Sequence, residues 1–175
     1  ALHKLGIISR QSLQENWILD QLRLFAGYTT EQMAQMGSYV VEQCLWPGRR
    51  QVVVDELLAH RQEGRRVIII TGQFEPILEQ LLPKMDGVEG IGTPLRFEGG
   101  LFTGEIAAPL NVGQRKAEQL QPFLRDGRIA AAYGDTAADL PMMLLSQSPV
   151  AVYPDQQLQR RAELEGWRIL AGDPL

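Results

Sequence analysis

The chain is poor in the features that would commit it to a membrane, a nucleic acid or a disulfide-stapled fold. Its single cysteine, Cys44, allows no internal disulfide, which makes a reducing cytoplasm the default compartment. Apolar runs such as Val67–Ile70 are far too short to cross a bilayer. The opening ALHKLGIISR lacks the apolar core of a secretory signal, and it also lacks an initiator Met. The net charge of −4 is spread over both signs with no basic stripe, which argues against a nucleic acid or an anionic membrane as the main partner. The two histidines, His3 and His60, have no spacing that suggests a metal pair or a catalytic dyad, and both read as surface or packing residues. There is no P-loop, no dinucleotide-type glycine fingerprint, no internal repeat and no low-complexity segment.

What is there suits one globular domain with a sizeable core and a small subdomain: 175 residues, 45% of them hydrophobic. The character of the chain changes near Trp46-Pro47-Gly48. Before it lie two helical patterns with capping signals. Ser12-x-x-Glu15 precedes Trp17, Ile18, Leu22 and Phe25, and Thr29-x-x-Gln32 precedes Met33, Met36, Val40 and Val41. Gly27 and Tyr28 separate the two, so residues 7–45 read as a helical hairpin. Cys44 falls in the same apolar pattern and reads as core rather than as a nucleophile.

After Pro47 helices and strands alternate. Residues 49–62 read as a helix stopped by Gly64, and 66–70 as a β-branched strand buried on both faces. A helix over 76–82 and a strand over 90–93 follow. LRFEGGLFTGEI, with Gly99-Gly100 between alternating arms, signals a β-hairpin. Beyond it the pattern predicts helices over 113–124, 140–145 and 156–165, and strands over 129–133, 150–153 and 167–170. Strands separated by helices favour an α/β fold, a Rossmann-like parallel sheet flanked by helices. Ligands of such sheets bind beyond the carboxyl ends of the strands, which directs attention to Thr71-Gly72, Gly134-Asp135 and the turn at Pro154-Asp155.

Each of these positions has two readings. Thr71-Gly72 could present a hydroxyl and a backbone N–H to a phosphate oxygen, or could be a plain strand-to-helix turn with Thr as a cap. Lys116, early in a helix, opposes the macrodipole unless an anionic ligand or a carboxylate compensates; otherwise it is a solvated surface Lys. Asp135 at a strand end suits a magnesium ligand, since Mg²⁺ takes one or two protein carboxylates and fills the rest with water and substrate oxygens. Asp139 could reach a metal-bound water or pair with Lys116, yet Thr136-x-x-Asp139 is also an ordinary capping box. The Met33/Met36 and Met142/Met143 pairs read as packing residues.

In order and spacing, IIITG, Lys116 in NVGQRKAEQL and YGDTAADLPMM resemble the second, third and fourth motifs of the haloacid dehalogenase (HAD) superfamily, closest to its phosphoserine-phosphatase-like subfamily. The resemblance implies a small helical cap over residues 1–46, a HAD-like α/β core over 47–175 and the hairpin as a flap. It implies a Mg²⁺-dependent phosphomonoester hydrolase acting on a small phosphorylated metabolite through an aspartyl-phosphate. Thr71 and the Gly72 N–H would hold the phosphoryl group, and Lys116 would neutralise charge. Asp135 would bind the metal, with Asp139 supporting its water shell or the Lys. Specificity would reside in residues 1–45 and 96–106, with Arg23, Arg96 and Phe97 as candidate contacts; a solvated hairpin Arg is the other reading of Arg96.

The family's first motif, Asp-x-Asp-x-Thr with its nucleophile and general acid, has no counterpart, because the chain contains no Asp-x-Asp. The nearest decoy, Val52-Val53-Val54-Asp55-Glu56, reads as helix and lies fifteen residues or so before Thr71, where the cap would have no room. The expectation is that this motif and the first strand precede Ala1. The competing expectations are a catalytically inactive HAD-like domain that keeps phosphate or metal binding or an interaction role, and an unrelated flavodoxin- or receiver-like fold. The latter leaves the helical segment and the hairpin unexplained.

Overall fold

The computed structural model describes residues 10–171. They divide into two compact units, one ending at Leu110 and one beginning at Asn111.

The first unit opens with α1 (Arg10–Leu22), a 3-10 turn over Arg23–Phe25 and α2 (Thr30–Val40). Thr29 and Gln32 form the expected capping box: the Gln32 N–H donates to Thr29 Oγ1 at 3.2 Å, and Gln32 Oε1 accepts from the Thr29 N–H at 2.9 Å. Ser12, expected as a cap, lies within the span of α1, which includes Arg10 and Gln11, both good helix formers. Residues 7–9 of the expected hairpin lie outside the described residues.

Between α2 and α3 (Gln51–Gln62) the backbone makes a π-helical turn over Val41–Leu45. That wider turn rotates the following residues, so Cys44 is exposed, contrary to the core position its spacing suggested. Arg49 lies over the Trp46 ring at 4.6 Å. Asp55 sits inside α3, where Gln51 donates to its carboxylate at 2.8 Å, so the apolar run before it is helix as expected.

β1 (Ile68–Phe74), α4 (Glu75–Leu81) and β2 (Glu89–Thr93) form a parallel β-α-β unit. Of the isoleucine run, Ile70 alone is buried. β1 pairs with β2 alone within its sheet, and Ile68 and Ile69 keep partial exposure, short of the burial on both faces that the β-branched run suggests. β3 (Leu95–Glu98) and β4 (Leu101–Ile106) make the antiparallel hairpin, turned by Gly99 and Gly100 at φ 58° and 81°, a conformation that glycine adopts without strain.

Helical segment and hairpin share one core rather than standing apart. Leu22, Met33, Leu95 and Phe102 are buried together, with Leu19, Phe25, Met36, Phe74, Phe97 and Ile106 packed against them. The Gly27 N–H donates to the Phe102 carbonyl, and the Phe102 N–H to the Tyr28 carbonyl, so the link between the helices is stitched to β4. Trp17, expected on the apolar face of α1, stays 65% exposed.

The second unit is a three-stranded parallel sheet in the order β5 (Ile129–Gly134), β6 (Ser146–Val152), β7 (Arg168–Leu170), with α5 (Gln114–Leu120), α6 (Leu140–Met143) and α7 (Gln156–Glu165). The helix expected over 113–124 is shorter, since Pro122 supplies no N–H and its stretch tightens into a 3-10 turn. Ala132, Ala151, Ala162, Met143 and Leu158 are all buried in this unit, and small side chains such as alanine let helix and sheet pack closely.

Candidate active site

The candidate site residues fall in both units, and each group is built within its own unit. In the first, β1 does not end at Ile70 as expected but continues through Thr71-Gly72 to Phe74. Ile70 pairs with Ile91 and Phe74 with Thr93, so β1 uses three residues, 71–73, where β2 uses one. Thr71 and Gly72 therefore lie in a bulge, a common device for re-aiming backbone groups. The Gln73 N–H donates to Thr71 Oγ1 at 3.1 Å, and Thr93 Oγ1 donates to the Gly72 carbonyl at 3.0 Å. A side chain at Gly92 would meet the Gln73 carbonyl at 3.0 Å and the Glu75 nitrogen at 3.2 Å, so anything larger than glycine would press on the backbone where β2 faces the bulge.

In the second unit, Lys116, Asp135 and Asp139 come together. Lys116 is the third residue of α5, and its ammonium lies 2.6 Å from Asp139 Oδ1. The two side chains are 17% and 5% exposed, the most buried ion pair in the described structure. The other oxygen, Asp139 Oδ2, accepts the Asp135 N–H at 3.1 Å and the Thr136 N–H at 3.4 Å. One carboxylate thus compensates a lysine placed against its helix dipole and fixes the loop that follows β5. It does this from a 3-10 turn, Ala137–Asp139, inside the capping box with Thr136. Both readings of Asp139, capping residue and lysine partner, are realised by the same side chain.

Three supporting residues take structural roles that the sequence does not assign to them. Gly134 has an ordinary backbone conformation, but a Cβ there would lie 2.6 Å from the Asp139 Cβ and 2.7 Å from Met143 Sδ. Asp155 caps α7 through the Leu158 N–H at 2.7 Å and accepts the Ala137 N–H at 3.0 Å, while its own N–H donates to the Asp135 carbonyl. The loops after β5 and β6 are thereby tied to each other. Thr93, fully buried, is the third; at the Pro154-Asp155 turn, a position where a ligand is expected, the aspartate braces the Asp135 loop.

Asp135 is exposed at the end of β5. Among the described residues no group of three or more His, Cys, Asp or Glu could enclose a metal. Magnesium asks less than that: one or two carboxylates, with waters and substrate oxygens completing an octahedron. An exposed carboxylate held on a loop pinned by a second one fits such an open site.

The candidate specificity residues have partners within the first unit. Arg96 pairs with Glu105 across the hairpin at 2.9 Å, Arg23 pairs with Asp20 at 3.1 Å, and Phe97 packs on Phe102 with ring centroids 5.6 Å apart. Near the bulge, burial and the like charge of Glu79 one turn away raise the Glu75 carboxyl above its ordinary pKa. No helix among the described residues is long and apolar enough to cross a membrane.

The chain matches the family model described as haloacid dehalogenase-like hydrolase over residues 17–144. It is 24% identical over 156 residues to a phosphoserine phosphatase of Mycobacterium tuberculosis, covering 85% of this chain and 49% of that protein. To a histidinol-phosphatase of Neisseria meningitidis it is 27% identical over 158 residues, covering 83% and 69%. Among solved structures, a Bordetella pertussis protein of unknown function superposes with a TM-score of 0.80 at 18% identity, covering 97% of this chain and 78% of that one. The chain spans between about half and two-thirds of the length of the curated relatives it matches.

Proposed function

This chain belongs to the haloacid dehalogenase-like hydrolases, and from that premise we propose that it serves a magnesium-dependent phosphomonoester hydrolase whose substrate is a small phosphorylated metabolite. The observation that carries the reading is the Lys116–Asp139 pair, with Asp139 also gripping the backbone of Asp135. Phosphoryl transfer demands little covalent chemistry of a protein and much positioning and charge neutralisation. Lys116 places a fixed positive charge for phosphate oxygens and for an attacking carboxylate. Thr71 and the Gly72 N–H offer two hydrogen-bond donors to the phosphoryl group. Asp135 would hold Mg²⁺, which supplies further charge neutralisation when bound.

An aspartyl-phosphate route requires a nucleophilic aspartate, and these 175 residues contain no Asp-x-Asp. The test therefore uses the whole gene product. Purified protein is assayed for phosphate release from phosphoserine, histidinol phosphate and other small monoesters, with and without Mg²⁺. We expect Mg²⁺-dependent turnover that Asp135→Asn abolishes while the far-UV spectrum and melting temperature stay near wild type. Undiminished turnover in that variant would remove Asp135 from the mechanism. The phosphatase names of the relatives, and the presence of Thr71, Lys116, Asp135 and Asp139 in one chain, support a catalytic role over a purely binding one.

A further inference from the structure

The bulge in β1 places Thr93 in a role that no motif describes. The peptide unit between Gly72 and Gln73 is held at both ends. Its carbonyl accepts the Thr93 hydroxyl at 3.0 Å, and its N–H donates to Thr71 Oγ1 at 3.1 Å. Thr93 is fully buried, on the strand that pairs with β1, and its neighbour Gly92 lets the backbone of 73–75 approach β2 closely. The Thr71 hydroxyl thus has an acceptor lone pair occupied from within the chain, which leaves its proton to be donated outward. The Gln73 N–H is spent inside the bulge, while the Gly72 N–H belongs to the preceding peptide unit and is not consumed by this arrangement.

We propose that Thr93 is a positioning residue for phosphoryl recognition: by anchoring the Gly72 carbonyl it orients the peptide that sets the donor direction of the Thr71 hydroxyl. Thr93 touches no substrate; it acts through the bulge. The inference rests on the phosphatase reading for its catalytic consequence and on the fold alone for the anchoring itself. Losing the hydroxyl leaves the Gly72 carbonyl without this buried donor and lets the peptide rotate, and misplaced catalytic groups cost large factors in rate.

The experiment compares Thr93→Val, which keeps the β-branched shape and removes the hydroxyl, with Thr93→Ser, which keeps the hydroxyl, in the full-length protein. Two readouts are taken. Amide exchange at Gln73, resolved by NMR, reports whether the peptide is anchored. Steady-state hydrolysis of a small phosphomonoester reports whether anchoring matters to turnover. In Thr93→Val we expect Gln73 exchange to accelerate about tenfold or more and kcat to fall on the order of ten- to a hundredfold, with KM moving much less. Thr93→Ser should restore both to within about threefold of wild type. Unchanged exchange in the Val variant, or a Ser variant as impaired as Val, would overturn the proposal. Accelerated exchange with unchanged kcat would overturn its catalytic half. Wild-type protein that hydrolyses no phosphomonoester would overturn the phosphatase reading and that catalytic half with it, while exchange at Gln73 would still decide whether Thr93 holds the bulge.

Discussion

Replacing Asp139 by Asn is the most direct probe of the second-unit site. The amide keeps the volume of the carboxylate and can still accept the Asp135 and Thr136 N–H groups that now reach Oδ2 at 3.1 and 3.4 Å. What it loses is the charge facing Lys116, whose side chain is 17% exposed. Breaking a buried pair by removing one partner costs about 3–5 kcal/mol, because the remaining charge is left without compensation. The residual exposure of Lys116 places this pair at the lower end, about 3 kcal/mol, which for a chain of this size corresponds to a drop in Tm of roughly 6–12 °C. Lys116→Met removes the other charge, yet leaves Asp139 with its two backbone donors, so its cost should be smaller. The double variant strands neither charge and should be less destabilised than the sum of the singles, with a coupling of at least about 1 kcal/mol. Denaturant unfolding of the four proteins measures this cycle. Additivity within about 0.5 kcal/mol, together with a Tm change in Asp139→Asn below about 2 °C, would refute the claim that the two side chains form a compensated buried pair.

Two other perturbations test neighbouring features. Gly134→Ala forces a Cβ against Asp139 Cβ and Met143 Sδ, and overpacking of this kind should cost about 1–3 kcal/mol in a chemical melt; a neutral alanine would mean that Asp139 does not approach β5 so closely. Glu75 titrates above its ordinary value in the folded state, owing to burial first and Glu79 second, so the folded chain holds this proton more tightly than the unfolded one. Stability is then lost as pH rises from the unfolded carboxyl pKa through the folded one. Glu75→Gln should raise Tm at pH 7 by about 1–2 °C and bring no gain near pH 4 or below, and a gain independent of pH would contradict the assignment.

Local chemistry was legible in the sequence where a few neighbouring residues complete the device. Thr29 and Gln32 satisfy each other across three residues, and Gly99-Gly100 make their own turn. Lys116 follows the same rule in part: a cation against a helix dipole asks for an anion, and Asp139 is one of those the sequence offers. Devices made by two distant stretches of backbone were not legible. Thr93 looks like any β-branched strand residue until the register shows three residues of β1 facing one of β2. Gly134 has no unusual φ to betray it, and its need for hydrogen in place of a methyl group arises from a residue that folds back five positions later. Cys44 misled because its apolar spacing assumed a regular α-helix where the backbone makes a π turn.

One contact in the first unit has a consequence for how such a protein can diversify. Gly37 of α2 rides on the backbone of α4, where a Cβ would collide with the Pro76 carbonyl. Pro76 lies two residues beyond Phe74, the end of the bulged strand. Enlargement at Gly37 would therefore be transmitted through main chain rather than absorbed by a rotating side chain. Exposed neighbours on the same helix, such as Gln35 and Tyr39, carry no such constraint. Lineages exploring new substrates would be expected to keep a glycine at 37 while letting those positions drift, so a single invariant small residue would mark the fulcrum around which the rest of α2 is free to be rewritten.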